Sequence, residues 1–239
     1  GYGEVHAVFK RPYVVYIDGK HSVVTFGAEH TKDPAHKQFG VIDSLWNLLK
    51  PDAALVEGRL GFVFKGLMNP VAAHGEGAYV QELAKRDNAE LYSWEPPIEQ
   101  DVKNTLSYYD KKKTALFYVL RPYFSNLRFG KPDNPEGYIQ EYLEKRTKYP
   151  GLEGSLSSVA EIDSIWEADF AGLPDWRETS DAYGLPNYLK NIAAISNRYR
   201  DEYLVQCIVD LAKKGKRVFA VMGSSHAVKT EKALRAVLE

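Results

Sequence analysis

Cysteine is almost missing from this chain: Cys207 is the only one in 239 residues. No intrachain disulfide can form, so oxidising export leaves no signature, and a lone cysteine in an apolar helical stretch reads as a core filler. An excess of charge of either sign is missing too. The formal net charge is −1, which argues against a dedicated binder of nucleic acid, because such modules carry a basic surplus. No apolar run approaches the ~20 residues that span a bilayer. Tandem repeats and local metal-binding patterns of the helical H-E-x-x-H kind are also lacking. The chain opens on Gly1 rather than Met, the pattern left when a leader, anchor or tag is removed, so localisation is not readable.

Two strings written the same way stand near opposite ends. The first is Val23-Val24-Thr25-Phe26-Gly27-Ala28-Glu29-His30 and the second Val218-Phe219-Ala220-Val221-Met222-Gly223-Ser224-Ser225-His226. Each is an apolar β-run, then G-x-x-H. Such a run predicts a buried strand, and the glycine permits a sharp exit at its carboxyl end. Two further runs end in carboxylates: Ala53 to Val56 before Glu57, and the strand into Glu95, which Pro96 terminates. In open α/β sheets, ligands bind beyond the carboxyl ends of the strands. His30, Glu57, Glu95 and His226 are therefore expected on one edge.

The rest of the chain predicts an α/β domain with a mostly parallel central sheet and flanking helices. Tyr13 to Phe26 reads as a hairpin turning at Asp18-Gly19. A helix capped by Asp33-Pro34 runs to Lys50, with His36 in its first turn. A Gly-rich connection from Gly58 to Gly77 leads to a helix over 78–87. Residues 97–185 read as a mostly helical insertion within a single domain covering 1–239. A long helix from Pro186 to Lys214 carries Arg200 on an apolar stripe with Leu204, Ile208 and Leu211, where an unpaired charge is costly. A closing helix spans 227–238, and the backbone N–H groups of Gly223, Ser224 and Ser225 before it offer a place for an anion.

Two imidazoles with one or two carboxylates suit a borderline divalent ion, which would polarise a carbonyl or activate water. Without a metal, the same residues do general acid–base work. Spacing does not separate the two.

The paired G-x-x-H strings, the Glu57 of Leu-Val-Glu-Gly-Arg and the Arg200-Asp201 pair before the second histidine resemble the TraB/Tiki proteins. These belong to a superfamily with erythromycin esterase and the haem-binding ChaN proteins. The resemblance implies an EreA/ChaN-like α/β core with a helical cap, and a divalent-metal-dependent hydrolase acting on a peptide or amide bond, a metalloprotease of the Tiki kind. His30, Glu57 and His226 would then hold Mn, Co, Zn or Fe. Glu29 or Glu95 would act as the base, and Arg200 would stabilise an oxyanion or a substrate carboxylate. An esterase-like hydrolase using His and Glu without metal is the first alternative; a haem- or iron-binding protein of the ChaN type is the second. The expected partners are a peptide or small-molecule substrate, with no nucleic acid and no membrane span in this chain, and a homodimer left open.

Overall fold

The computed structural model describes residues 9–58, 60, 69–127, 130–181 and 184–239. They divide into two compact units, one of residues 1–95 and 200–239 and the other of 96–199.

The first unit is built on a five-stranded sheet. Its strands are β1 (Tyr13–Ile17), β2 (Val23–Ala28), β3 (Ala53–Val56), β4 (Glu90–Ser93) and β5 (Val218–Gly223), in the spatial order β1-β2-β5-β3-β4. Only β1, joined to β2 as a hairpin, is antiparallel; β2, β5, β3 and β4 run parallel. The three inner strands are buried at every position. That burial is why they read as near-continuous apolar runs, Thr25 of β2 being the one polar residue among them, rather than as alternating ones.

Both faces of the sheet are covered. On one, Val24, Phe26, Ala54, Val56, Phe219 and Val221 pack against α1 (Gln38–Leu49) through Phe39, Ile42 and Trp46, and against α2 (Pro70–Asp87) through Val80 and Leu83. On the other, Val23, Leu55, Val218, Ala220 and Met222 meet Leu204, Ile208 and Leu211 of the long helix, and Ala227, Leu234 and Leu238 of the final one. Strict alternation of the two sets along β5 shows the period of two that puts successive side chains on opposite faces.

The second unit is helical: α3 (Ile98–Leu106), α4 (Lys111–Asn126), α5 (Pro135–Arg146) and α6 (Val159–Asp169), followed by the first part of α7 (Asn187–Lys213). Its core gathers Phe117, Tyr118, Phe124, Trp166, Phe170, Trp176 and Leu189. Trp166, Phe170 and Trp176 of the aromatic-rich middle pack there; Tyr183 lies outside the described residues. Asp110, Asn134 and Ser158 cap α4, α5 and α6 by accepting backbone N–H bonds. The final helix, α8, is Ser224–Leu238.

Three helix starts differ from the sequence reading. The first helix begins at Gln38, not Pro34, because Asp33 closes a turn instead: its carboxylate accepts from Ala35 N and its carbonyl from His36 N. Helix α2 begins at Pro70, inside the stretch read as Gly-rich connection, because Asn69 accepts from the N–H groups of Val71 and Ala72. The remainder of that connection, 59 and 61–68, lies outside the described residues. Helix α8 starts at Ser224, so His226 sits in its first turn rather than before it.

Among the described residues, no helix is long and apolar enough to cross a membrane.

Candidate functional site

The two G-x-x-H strings meet because β2 and β5 are paired in register, Gly27 opposite Met222 and Ala28 opposite Gly223. Ser224 Oγ donates to the carbonyls of Gly27 and Ala28, 2.9 Å each, and so ties the start of α8 to the end of β2. Neither glycine has the positive φ that a sharp left-handed exit requires; they permit close approach instead. A Cβ on Gly27 would lie 2.8 Å from Ala227 Cβ and 2.9 Å from both Ser224 Cα and the Tyr13 carbonyl. One on Gly223 would lie 3.0 Å from His30 Nε2 and 3.9 Å from His226 Cδ2. The two imidazoles therefore flank Gly223, and those distances bring them within about 7 Å of each other.

Each histidine is held by an acid. His226 Nδ1 is 2.5 Å from Asp201 Oδ1, and His30 Nδ1 is 2.6 Å from Glu76 Oε1. With Nδ1–H donating to a carboxylate, the neutral ring carries its lone pair on Nε2, the tautomer suited to accepting a proton. His226 is buried, with the indole of Trp94 5.3 Å from its ring. His30 is the more open of the two, its side chain 45% exposed.

Arg200 enters from α7 and occupies both strand-end glutamates. Its Nε donates to Glu95 Oε2 at 2.9 Å and its Nη2 to Glu57 Oε1 at 2.7 Å; Nη2 also contacts Glu95 Oε1. Its guanidinium carbon stands 5.2 Å from the centre of the Trp94 ring. Trp94 in turn donates its indole N–H to the Val221 carbonyl. The polar side of the apolar stripe thus has a partner, which resolves the cost of an unpaired charge. Burial opposes the charge on Glu57, but Arg200, then His226 and His30, outweigh it and hold the carboxyl down to about 2. For Arg200, burial is likewise outweighed by Glu95 and Glu57, which push its pKa above the ordinary value.

Glu29 stands apart from this centre. Its backbone N–H and carbonyl are clamped by the buried amide of Gln38, and its carboxylate is 3.9 Å from His36 Nε2.

These pairings overturn the metal reading. Among the described residues, no group of three or more His, Cys, Asp or Glu side chains is arranged to hold an ion. The acids that would complete a ligand set are turned elsewhere: Glu57 and Glu95 to Arg200, Glu76 to His30 and Asp201 to His226. The expected Mn, Co, Zn or Fe ion held by His30, Glu57 and His226 does not fit this arrangement. With it go the divalent-metal-dependent hydrolase and the metalloprotease assignment.

No family model, curated protein or solved structure matches this chain. The site therefore stands on its own chemistry. Its two acid partners differ in how far the sequence exposed them. Asp201 adjoins Arg200 on the long helix, and one residue's rotation places the two side chains on neighbouring parts of the same helix surface. Glu76 gave a weaker signal, being set between Gly75 and Gly77 in what reads as a loop. A hollow of about 660 Å³ opens elsewhere in this unit, at the amino ends of β3, β4 and β5. Its acids Asp52, Asp87 and Glu90 are paired with Arg217, Arg86 and Lys216, which marks it as an ion-paired structural seam.

Proposed function

We propose that the carboxyl edge of the sheet is a metal-independent acid–base site, and that the protein is an esterase-like hydrolase. One observation carries the reading: two histidine–carboxylate pairs from opposite ends of the chain flank a single glycine. A histidine oriented by a carboxylate is the arrangement that general base catalysis uses, since the acid fixes the tautomer and stabilises the imidazolium formed on proton uptake. Here His226, oriented by Asp201, takes a proton from the attacking water. The imidazolium so formed returns that proton to the leaving oxygen, while neutral His30, oriented by Glu76 and open to solvent, accepts a hydrogen bond from the same water at Nε2 and positions it. The role first expected for Arg200, an oxyanion clamp, passes out of this scheme because its donors already serve Glu57 and Glu95. Arg200 acts as the counter-ion that fixes the ends of β3 and β4 beneath Trp94.

The test uses p-nitrophenyl acetate with the full chain, before and after exhaustive chelation. Turnover is expected to survive chelation and to fall by about 10²–10⁴ in His226→Ala, with His30→Ala also impaired. Turnover in both alanine variants equal to that of the parent would overturn the proposal, as would activity that is lost to chelator and restored by a divalent ion.

A further inference from the structure

Helix α2 contains one residue outside helical geometry, Gly75, at φ 69° and ψ −154°. We infer that this break aims Glu76 at His30, so that Gly75 and Glu76 are positioning residues of the site; the effect on turnover rests on the acid–base reading above. Two observations support the inference independently. The first is conformational: positive φ with ψ near −150° is a region that glycine alone occupies without strain. The second is steric, since a Cβ at Gly75 would lie 3.2 Å from the backbone carbonyl of Thr31, the residue that follows His30. A methyl group there presses on the backbone beside the very histidine that Glu76 holds.

The segments on either side are anchored, so the break cannot be smoothed away cheaply. Upstream, Asn69 caps the first turn and Val71 is buried. Downstream, Val80, Leu83 and Ala84 pack on the sheet, and Tyr79 donates to Asp43 at 2.8 Å. An unbroken α-helix turns successive side chains by 100°. Restoring helical φ and ψ at position 75 therefore changes the direction of one segment relative to the other, and the pair at 2.6 Å cannot survive the change. Gly77 supplies the contrast. It is helical, and a Cβ there meets only the Glu57 carbonyl at 3.7 Å, an ordinary contact.

The experiment reads the imidazole tautomers by long-range nitrogen–proton NMR on the full-length protein. The parent is expected to show the Nδ1–H form at both His30 and His226. Gly75→Ala and Glu76→Ala should each lose it at His30 and keep it at His226, with kcat on p-nitrophenyl acetate reduced at least tenfold and KM little changed. The double variant should behave like either single one, because both act on one contact. Glu76→Gln, which retains an acceptor oxygen, should recover the tautomer, and Gly77→Ala should leave it intact. D-alanine installed at position 75 by ligation accommodates positive φ, and should preserve the His30 signal even if the L-alanine variant does not fold. An unchanged His30 signal in Gly75→Ala, or loss of the signal with D-alanine, overturns the inference. If that happens while His226→Ala and His30→Ala still impair turnover, the acid–base reading stands and only the positioning role fails.

Discussion

Removing the Arg200 guanidinium probes the electrostatics of the sheet edge most directly. Its side chain is 6% exposed, against 36% for Glu57 and 29% for Glu95. Arg200→Leu leaves both carboxylates without their cation. Deleting one partner of a fully buried ion pair costs about 3–5 kcal/mol. Both acids keep roughly a third of their surface in water, so screening reduces this, and the expected loss at pH 7 is about 2–3 kcal/mol. For a chain of this size that corresponds to a fall in Tm of about 4–12 °C. The pH dependence has a definite sign. Glu57 titrates at about 2 in the folded protein against an ordinary value of 4.5, so its charge contributes stability that is whole above pH 4.5 and fades as the pH drops toward 2. For a fully buried group the difference would be worth about 3 kcal/mol; with screening, about half of that remains. In Arg200→Leu the main force depressing this pKa is gone, and the variant has little of that contribution to lose. The stability gap between parent and variant should therefore narrow by roughly 1 kcal/mol from pH 7 to pH 3. Denaturant melts of both proteins at the two pH values measure it. A gap below about 0.5 kcal/mol at pH 7, or one that widens at pH 3, would refute the assignment of Arg200 as the counter-ion of these acids. Arg200→Lys keeps the charge without the planar fork and should fall between the two.

Asp201→Asn should lower p-nitrophenyl acetate turnover by about 10²-fold or more while shifting Tm little, since the hydrogen bond to His226 can persist and the stabilisation of the imidazolium cannot; equal rates would count against the dyad. Gly27→Ala should destabilise by about 3 kcal/mol in denaturant melts, because its Cβ would overlap the backbone of Tyr13 and Ser224. Gly223→Ala meets a half-exposed ring instead, so it should melt near the parent and lose activity; the reverse ranking of the two glycines would contradict the packing described. Gln38→Ala should cost about 1–3 kcal/mol by leaving the backbone N–H and carbonyl of Glu29 without their partner, and a neutral result in the same melts would show water replacing the amide.

The parallel sheet was legible because β2, β3 and β5 are buried on both faces and carry apolar runs of the right length. The end of α1 at Lys50 and the span of α7 were legible from period and punctuation. What the sequence hid was pairing. His30, Glu57, Glu95 and His226 have ligand chemistry wherever they stand, and only the fold shows that Arg200 reaches two of the acids first. The start of α1 was obscured because Asp33, which looks like a cap, closes a turn on Ala35 and His36 instead. Asn69-Pro70 did carry a cap and first-position signal, but Gly75 and Gly77 just beyond it resemble a loop. Glu76 was hidden for the same reason that it functions: only a break in helical periodicity delivers it to His30.

The strand that follows all the others in sequence, β5, lies in the middle of the sheet, between β2 and β3. Until it inserts, the β1-β2 hairpin and the β3-β4 pair present unsatisfied edges to one another, and nothing in either half can complete the sheet. Closing that gap joins segments nearly two hundred positions apart, the kind of long-range contact that slows folding. The same insertion brings His226 beside His30. Assembly of the reactive edge and closure of the hydrogen-bonded scaffold are thus a single event: a partly folded chain has no half-built chemistry, and the first sign of turnover in a refolding chain would time the arrival of its fifth strand.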